Sequence, residues 1–347
     1  MKNIMKQYGL NDRFTTLAIM YSDFIVGRIV SQEKGMYRIV TELGEKLAEV
    51  SGKFRYEASC PSDFPGVGDF VMVDWNHTGG NAVIHHVLPR KSCFTRKAAG
   101  ERQEQVVSAN IDTLFLCMSL NNDFNLRRLE RYLTIGWDSG AIPVILLTKS
   151  DLCDDLAARL IEVEAVALGV DILITSSFEE DGIREVLPYI SEGKTVAFIG
   201  SSGVGKSTLI NRMIGEERLE TQGLRNDDKG RHTTTHRELI LLPGGGMVID
   251  TPGMRELGMW DNESGLEQSF ADIEELAANC RFSDCSHTSE PGCAIRRALE
   301  DGTLDPGRWN SYQKLNLELE YAADSESYLA QKEKKFKDIS KYLKHHK

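Results

Sequence analysis

The sequence lacks any apolar run long enough to cross a lipid bilayer, and its first residues, MKNIMKQYGLNDRF, lack the apolar core of a secretory signal. Both absences predict a cytoplasmic protein with no membrane partner. Positive charge is also in deficit, because 52 acidic residues outnumber 41 basic residues and give a formal net charge of -11. This balance argues against a general nucleic-acid coat, so an RNA partner would have to be met by local basic patches.

Cysteine is scarce and unevenly placed, with seven residues in a chain of 347. Four scattered cysteines are expected to be buried thiols: Cys60, Cys93, Cys117 and Cys153. The others form a cluster with a histidine: Cys280, Cys285, His287 and Cys293. Three sulfur atoms and one imidazole nitrogen in a short span suit a tetrahedral structural Zn²⁺ site, and a disulfide is not expected in a cytoplasmic protein. The spacing differs from the common C-x2-C knuckle, so free thiols remain the alternative.

The chain is long enough for two or three domains, and its patterning predicts three. Residues 1–105 contain short strands, such as GDFVMVDW and AVIHHVL, separated by glycine-rich turns, which is typical of a small β-barrel. Residues 106–265 alternate apolar runs with helical stretches, which predicts a mostly parallel sheet covered on both faces. Residues 266–347 are polar around the cysteine cluster. Helical spacing recurs there at Trp309, Tyr312, Leu315 and Leu319, and again at Phe336, Ile339 and Leu343.

Two segments carry clustered positive charge. The first follows the predicted barrel and contains Arg90, Lys91, Arg96, Lys97 and Arg102. RNA contact and a solvated linker are equally good interpretations of it. The second is the final segment, QKEKKFKDISKYLKHHK, which is interpreted as an amphipathic helix docked on its own protein with a solvated basic face.

A phosphate-binding loop is predicted by GSSGVGKS, which matches G-x-x-x-x-G-K-[ST] between an apolar strand and a helical segment. The amides of such a loop and the adjoining helix N-terminus attract phosphate oxygens. Lys206 is expected to reach the β- and γ-phosphates as a catalytic cation, and Ser207 to ligate Mg²⁺. The phosphate-binding residues predicted are Gly200, Ser201, Ser202, Gly203, Val204, Gly205, Lys206, Ser207 and Thr208. A chance glycine-rich turn is the minor alternative.

A second apolar strand ends in DTPG, where the Asp250 carboxylate is positioned to hold Mg²⁺ and the Gly253 amide to bind the γ-phosphate. Between the two motifs lies GRHTTT, whose Thr235 is expected to complete the Mg²⁺ shell, with Thr234 the next choice. A polar loop without metal contact is the alternative for these threonines.

Guanine recognition is predicted by TKSD, which closes the strand AIPVILL and resembles the NKxD motif of GTPases. The Asp151 carboxylate would accept hydrogen bonds from two guanine donors that adenine lacks, which argues against an ATP-specific protein. Thr148 replaces the usual asparagine and cannot supply its amide, which predicts reduced guanine affinity. The guanine-binding residues predicted from TKSD and the later TSS are Thr148, Lys149, Ser150, Asp151, Ser176 and Ser177. An ordinary strand-end turn is the alternative for TKSD alone.

The order of these motifs is circularly permuted, since TKSD and TSS precede the phosphate loop, whereas an ordinary GTPase has them after DxxG. A parallel sheet tolerates this order, because sites form at strand ends that are neighbours in space.

The joint order of TKSD, TSS, GSSGVGKST, GRHTTT, DTPG and the Cys-Cys-His-Cys cluster resembles the RsgA family of bacterial GTPases. The resemblance implies an N-terminal OB-fold β-barrel, a central α/β circularly permuted P-loop GTPase domain and a C-terminal helical zinc-binding domain. It implies hydrolysis of GTP to GDP and phosphate, stimulated by the small (30S) ribosomal subunit during its late maturation. GTP, GDP, rRNA, Mg²⁺ and one structural Zn²⁺ are the implied partners of a monomer. A permuted GTPase paralogue that acts on another RNA or RNP target is the alternative.

The catalytic water needs a positioning group, and Met254 occupies the place where ordinary GTPases carry a glutamine. His232 in GRHTTT is the candidate substitute, because an imidazole orients water or accepts its proton near neutral pH. The resemblance implies the same role for it. Contact with rRNA, or a purely loop-shaping role, is the alternative for His232.

Overall fold

Five strands in the N-terminal part of the chain pair into a closed barrel. The computed structural model describes residues 4–33, 35–97, 104–176, 182–216, 219, 237–250 and 263–323. The barrel strands are β1 (Ile25–Glu33), β2 (Met36–Thr41), β3 (Gly44–Val50), β4 (Phe70–Asp74) and β5 (Ala82–Val87). Their order is β1-β2-β3-β5-β4, and antiparallel pairing of β4 with β1 closes the ring. The predicted barrel and its two best-marked strands are therefore confirmed.

The barrel interior is filled by apolar side chains from every strand, because alternate residues of a strand face the same side. Fully buried examples are Ile29, Ile39, Ala48, Val71 and Ile84. Three short helices flank the strands: α1 (Ile4–Gln7), α2 (Asp12–Ala18) and α3 (Gly52–Glu57). Phe14 of α2 is buried against Phe70, with the ring centroids 4.1 Å apart.

A two-stranded hairpin follows the barrel, formed by β6 (Cys93–Lys97) and β7 (Glu104–Ala109). Two of the five residues in the first basic cluster form ion pairs beside it. Arg90 meets the fully buried Asp69 at 2.8 Å, and Lys91 meets Asp112 at 2.5 Å. These two cations therefore stabilise the fold through ion pairs. The side chains of the other three basic residues lie outside the described residues.

The central part of the chain forms a sheet in the strand order β10-β9-β8-β11-β13-β12. The strands are β8 (Thr113–Ser119), β9 (Ile142–Thr148), β10 (Asp171–Ile174), β11 (Thr195–Gly200), β12 (Arg237–Leu241) and β13 (Met247–Asp250). The first five in spatial order are parallel, as predicted, and β12 is antiparallel to β13. The accompanying helices are α4 (Leu126–Asp138), α5 (Leu156–Glu164) and α6 (Lys206–Ile214).

The barrel and the central sheet are continuous, because β12 pairs with β1 at Ser31–Glu238 and Gln32–Arg237. Arg28 of β1 lies at this junction and is 1% exposed. Its guanidinium donates to the Tyr8 carbonyl at 2.5 Å and to the Thr195 hydroxyl at 2.8 Å. A buried guanidinium must be hydrogen-bonded to offset its lost hydration, so these bonds help to fix the junction.

The last described part of the chain is helical, as predicted: α7 (Glu263–Ser269), α8 (Ala271–Ala278), α9 (Ala294–Asp301) and α10 (Pro306–Ala323). Its core contains Phe270, Ile273 and Ile295. The predicted helical residues Trp309, Tyr312, Leu315 and Leu319 lie on α10 and pack in or against this core. The residues of the second predicted pattern, beginning at Phe336, lie outside the described range.

The chain divides into two compact units, residues 1–132 with 139–258 and residues 133–138 with 259–347. The three predicted domains, 1–105, 106–265 and 266–347, stay predictions in their boundaries. Across the described ranges, every helix is too short or too polar to span a membrane.

Candidate functional site

The described residues of the permuted motifs lie at the carboxyl ends of strands in the central sheet. The phosphate loop follows β11, Asp250 ends β13, and TKSD and TSS follow β9 and β10. All four strands are parallel, so their carboxyl ends face the same side. The sheet order places β8 between β9 and β11, one strand away from each. The described residues of the early and late motifs therefore lie at the same end of the sheet.

The phosphate loop has the strand-loop-helix setting that its motif requires. Gly200 ends β11 with φ of 156°, and a Cβ there would lie 2.6 Å from the Cys117 carbonyl oxygen. Gly205 precedes α6 with φ of 112°, in the left-handed region that glycine adopts most readily. The sequence needs glycine at the first position for space and at the second for backbone conformation.

Lys206 opens α6 and turns its ammonium group back over the phosphate loop. Its Nζ donates to the carbonyl oxygens of Gly200 at 2.7 Å and Ser201 at 2.8 Å. Ser207 and Thr208 follow in the first turn of the helix, where the amides and the dipole favour an anion. This part of the site is arranged to bind phosphate groups.

Thr148 joins the predicted guanine loop to the phosphate loop. Its hydroxyl donates to the Val204 carbonyl oxygen at 2.6 Å, and its side chain is buried. Threonine has no amide, as the sequence indicates, but its hydroxyl reaches the phosphate loop directly. The structure therefore gives Thr148 a role that the sequence analysis missed.

Asp151 is exposed at the end of the same loop, and its carboxylate is held by Ser176. The Ser176 hydroxyl donates to Asp151 Oδ1 at 2.7 Å. Lys149 has φ of 59°, a conformation that non-glycine residues seldom adopt and that occurs often at functional sites. The Ser150 amide donates to the Thr175 carbonyl at 3.3 Å, which ties the TKSD and TSS loops together.

Asp250 is partly buried at the end of β13. Burial raises the pKa of its carboxyl group, and the positive charge of Lys206 lowers that pKa part of the way back. Nearby Glu238 raises it further. Burial and a neighbouring acid together give this carboxylate an electrostatic reason to accept a divalent cation.

Four predicted site residues lie outside the described residues: Ser177, His232, Thr235 and Gly253. Their assigned roles stay predictions.

A second site brings the four clustered residues of the C-terminal unit together. The ligand atoms of Cys280, Cys285, His287 and Cys293 all lie within 4.8 Å of one another. The Cys280 and Cys293 sulfur atoms are 4.0 Å apart, and His287 Nδ1 lies 3.6 Å and 3.5 Å from them. Zinc bound to two thiolates at about 2.3 Å in a tetrahedron needs sulfurs about 3.8 Å apart. The cluster therefore has the composition and spacing of a closed zinc site.

Backbone amides surround the sulfur atoms of this cluster. The Ala294 amide donates to Cys280 Sγ at 3.3 Å, and the Arg296 amide donates to Cys293 Sγ at 3.4 Å. Such bonds stabilise thiolates, which are the form that binds a metal.

Sequence reasoning also missed Asp123, which follows β8 in the segment SLNNDF. Its carboxylate Oδ2 accepts a hydrogen bond from Ser201 of the phosphate loop at 2.5 Å. The contact spans 78 residues and belongs to no motif, so the sequence offers no local signal for it.

The fold and the site together define a circularly permuted P-loop GTPase with a barrel and a cysteine–histidine cluster. The family model for RsgA GTPase matches residues 87–260. The chain belongs to the RsgA GTPase family.

Named relatives resemble the chain over most of its length. A protein of Lactiplantibacillus plantarum named small ribosomal subunit biogenesis GTPase RsgA 2 is 51% identical over 92% of this chain and 90% of its own. The Listeria innocua protein named RsgA 1 is 44% identical over 99% and 98%.

Solved structures show the same fold. YjeQ from Thermotoga maritima matches with a TM-score of 0.63 and 30% identity, over 85% of this chain and 98% of that one. YloQ, described as a circularly permuted GTPase, matches with a TM-score of 0.61 and 26% identity, over 86% and 95%. The family and the fold predicted from the motif order are therefore confirmed.

Proposed function

We propose that this GTPase hydrolyses GTP to GDP and phosphate during late maturation of the small (30S) ribosomal subunit, and that the subunit stimulates the reaction. The observation that carries the enzymatic part is the Thr148–Val204 hydrogen bond, because it unites a guanine-type loop and a phosphate loop in one site. The ribosomal part is supported by the printed names of relatives at 44% to 51% identity.

Binding begins at the phosphate loop, where the loop amides and the N-terminus of α6 donate hydrogen bonds to the phosphates. Lys206 then moves from the carbonyl oxygens of Gly200 and Ser201 toward the phosphates. The Asp151 carboxylate, which is already oriented by its hydrogen bond from Ser176, accepts hydrogen bonds from the two guanine donors. Mg²⁺ held near Ser207, Thr235 and Asp250 would supply charge neutralisation for the phosphates. Asp250 has the partly buried, acidic setting that favours this assignment.

The role of orienting the water that attacks the γ-phosphate is assigned to His232, because the Met254 side chain has no polar group that could orient it. His232→Ala is expected to bind GTP normally and to lose subunit-stimulated hydrolysis, measured as phosphate release with and without 30S subunits. Retained stimulation in this variant would remove His232 as the catalytic group.

The cysteine cluster is assigned one structural Zn²⁺, which its sulfur spacing supports. We further infer that the protein acts in the cytoplasm as a monomer and meets rRNA through local surfaces. The described ion pairs of Arg90 and Lys91 make these two residues poor candidates for rRNA contact.

The ribosomal role is tested by measuring GTP hydrolysis with isolated 30S subunits, with 50S subunits and with neither, side by side. Strong stimulation by 30S subunits alone is the expected result. Stimulation by neither subunit, with GTP still hydrolysed, would favour the alternative of a permuted GTPase that serves another RNA target.

A further inference from the structure

The second residue of the phosphate loop, Ser201, is hydrogen-bonded to the segment that follows the neighbouring strand, β8. Ser201 Oγ donates to Asp123 Oδ2 at 2.5 Å, and Arg128 Nη1 donates to the same oxygen at 2.8 Å. Ser201 directly follows β11, whereas Asp123 follows β8 and Arg128 lies in the first turn of α4. One carboxylate oxygen therefore links the phosphate loop to the start of a different helix.

Asp123 is itself fixed by a turn before α4. The Asn121 side chain accepts hydrogen bonds from the Ser119 hydroxyl at 2.9 Å and from the Asp123 amide at 3.1 Å. The Asn125 side chain then accepts from the Arg128 amide at 3.0 Å, which caps the helix. The carboxylate is thus presented to the phosphate loop by a short segment that is bonded at both ends.

The phosphate loop has reason to need such support. Glycines at 200, 203 and 205 leave its backbone free to adopt many conformations, and ordering them costs entropy when a nucleotide binds. Thr148 holds the loop at Val204, and Asp123 holds it at Ser201. These two contacts restrain positions on either side of Gly203.

We propose that Asp123 is a positioning residue for GTP binding: it keeps the phosphate loop in its binding conformation through Ser201, and Arg128 neutralises its charge. A carboxylate this close to bound phosphates would repel them without a paired cation. The proposal rests on the GTPase function assigned above and adds a residue to that site.

The first experiment is a double-mutant cycle with Ser201→Ala, Asp123→Ala and the double variant, using fluorescent GDP and a non-hydrolysable fluorescent GTP analogue. Each single variant is expected to bind both nucleotides about tenfold more weakly, and the double variant no more weakly than either, because all three lose one contact. Asp123→Asn keeps an oxygen acceptor, so its affinity is expected to stay within about threefold of the natural protein.

Glu164→Ala is the matched control, since Glu164 is an exposed acid at the end of α5. It is expected to bind both nucleotides like the natural protein. Independent, multiplicative losses for Ser201 and Asp123, or an Asp123→Ala variant that behaves like Glu164→Ala, would overturn the proposal. A fall in affinity that follows a fall in melting temperature across the set would overturn it as well.

Arg128→Met tests the charge. It removes the cation that is hydrogen-bonded to Asp123 Oδ2, so the GTP analogue, with its additional negative charge, should lose more affinity than GDP. That difference should shrink as salt rises from about 50 mM to about 500 mM, because salt screens the repulsion. Equal losses for both nucleotides at every salt concentration would contradict the assigned role of Arg128.

The GTPase assignment fails separately, if the natural protein binds neither guanine nucleotide. If the natural protein does bind guanine nucleotides, the double-mutant cycle tests only the role of Asp123.

Discussion

At the scale of single residues, the Thr148 hydroxyl donates a hydrogen bond to the phosphate loop. GTPases usually make this contact with the side-chain amide of an asparagine. The donor lies 2.6 Å from the Val204 carbonyl oxygen, and both residues are buried. A buried carbonyl oxygen that loses a hydrogen-bond donor costs about 1–3 kcal/mol of stability. The hydroxyl therefore contributes to a loop that must be ordered before phosphates can bind.

Thr148→Val, which keeps the shape and removes the hydroxyl, is expected to weaken GDP and GTP binding about tenfold. The measurement is equilibrium titration with fluorescent nucleotides. Thr148→Asn is the matched control, and it should bind at least as tightly as the natural protein because asparagine can reach both the loop and the base. Unchanged affinity in Thr148→Val would show that the Val204 contact is dispensable.

Cys117 gives a pH-dependent prediction. It lies in β8 beneath the phosphate loop, and burial raises the pKa of its thiol from 9.0 to about 12. The unfolded chain loses this proton near pH 9, while the folded protein keeps it. The free energy of unfolding is therefore unaffected by this thiol below about pH 9, and it falls as the pH rises from 9 toward 12.

Cys117→Ala should remove that loss. Between pH 9 and 10.5, the unfolding free energy of the natural protein should fall by about 1.5 kcal/mol more than that of the variant. Denaturant titrations at several pH values measure the difference. Parallel slopes for the two proteins would contradict a buried, neutral thiol.

At the scale of secondary-structure elements, the cysteine cluster stands between α8 and α9 and also packs in the core of its unit. Cys293 caps α9, and Cys280 and Cys285 contact the same apolar cluster as Phe270 and Ile295. Because the described part of this unit has a small core, a metal that joins these segments should contribute much of the unit's stability.

Metal removal tests this element. Protein purified without chelators should contain one zinc per chain by elemental analysis. A strong chelator should lower the melting temperature and the helical signal by circular dichroism, and added Zn²⁺ should restore both. Metal-free protein of full stability would contradict the assignment and favour free thiols.

Contacts within one short segment could be predicted from the sequence, whereas contacts between distant elements could not. The phosphate loop and the cysteine cluster were predictable because their residues lie within 8 and 14 consecutive positions and their chemistry is local. Arg28 and Asp123 were not, since their partners Thr195 and Ser201 lie 167 and 78 residues away. Such contacts depend on sheet order, which motif order alone does not give.

At the scale of the whole molecule, the barrel and the central sheet are joined in two ways. The pairing of β1 with β12 makes their hydrogen-bonded sheets continuous. Arg28 adds donors to the Tyr8 carbonyl and the Thr195 hydroxyl across the same junction. The strand β12 begins two residues after Thr235, the residue predicted to complete the Mg²⁺ shell, so the barrel pairs with the strand that follows that residue in the chain.

The guanine specificity of the whole protein depends on recognition of the base by loops encoded before the phosphate loop. Asp151→Asn tests it most directly, with GTP, XTP and ATP hydrolysis and binding measured for both proteins. Because asparagine reverses the hydrogen-bonding preference at this position, the variant is expected to lose activity and affinity for GTP and to gain them for XTP, by about tenfold or more in each case. Unchanged GTP preference in the variant, or preference for ATP in the natural protein, would contradict it.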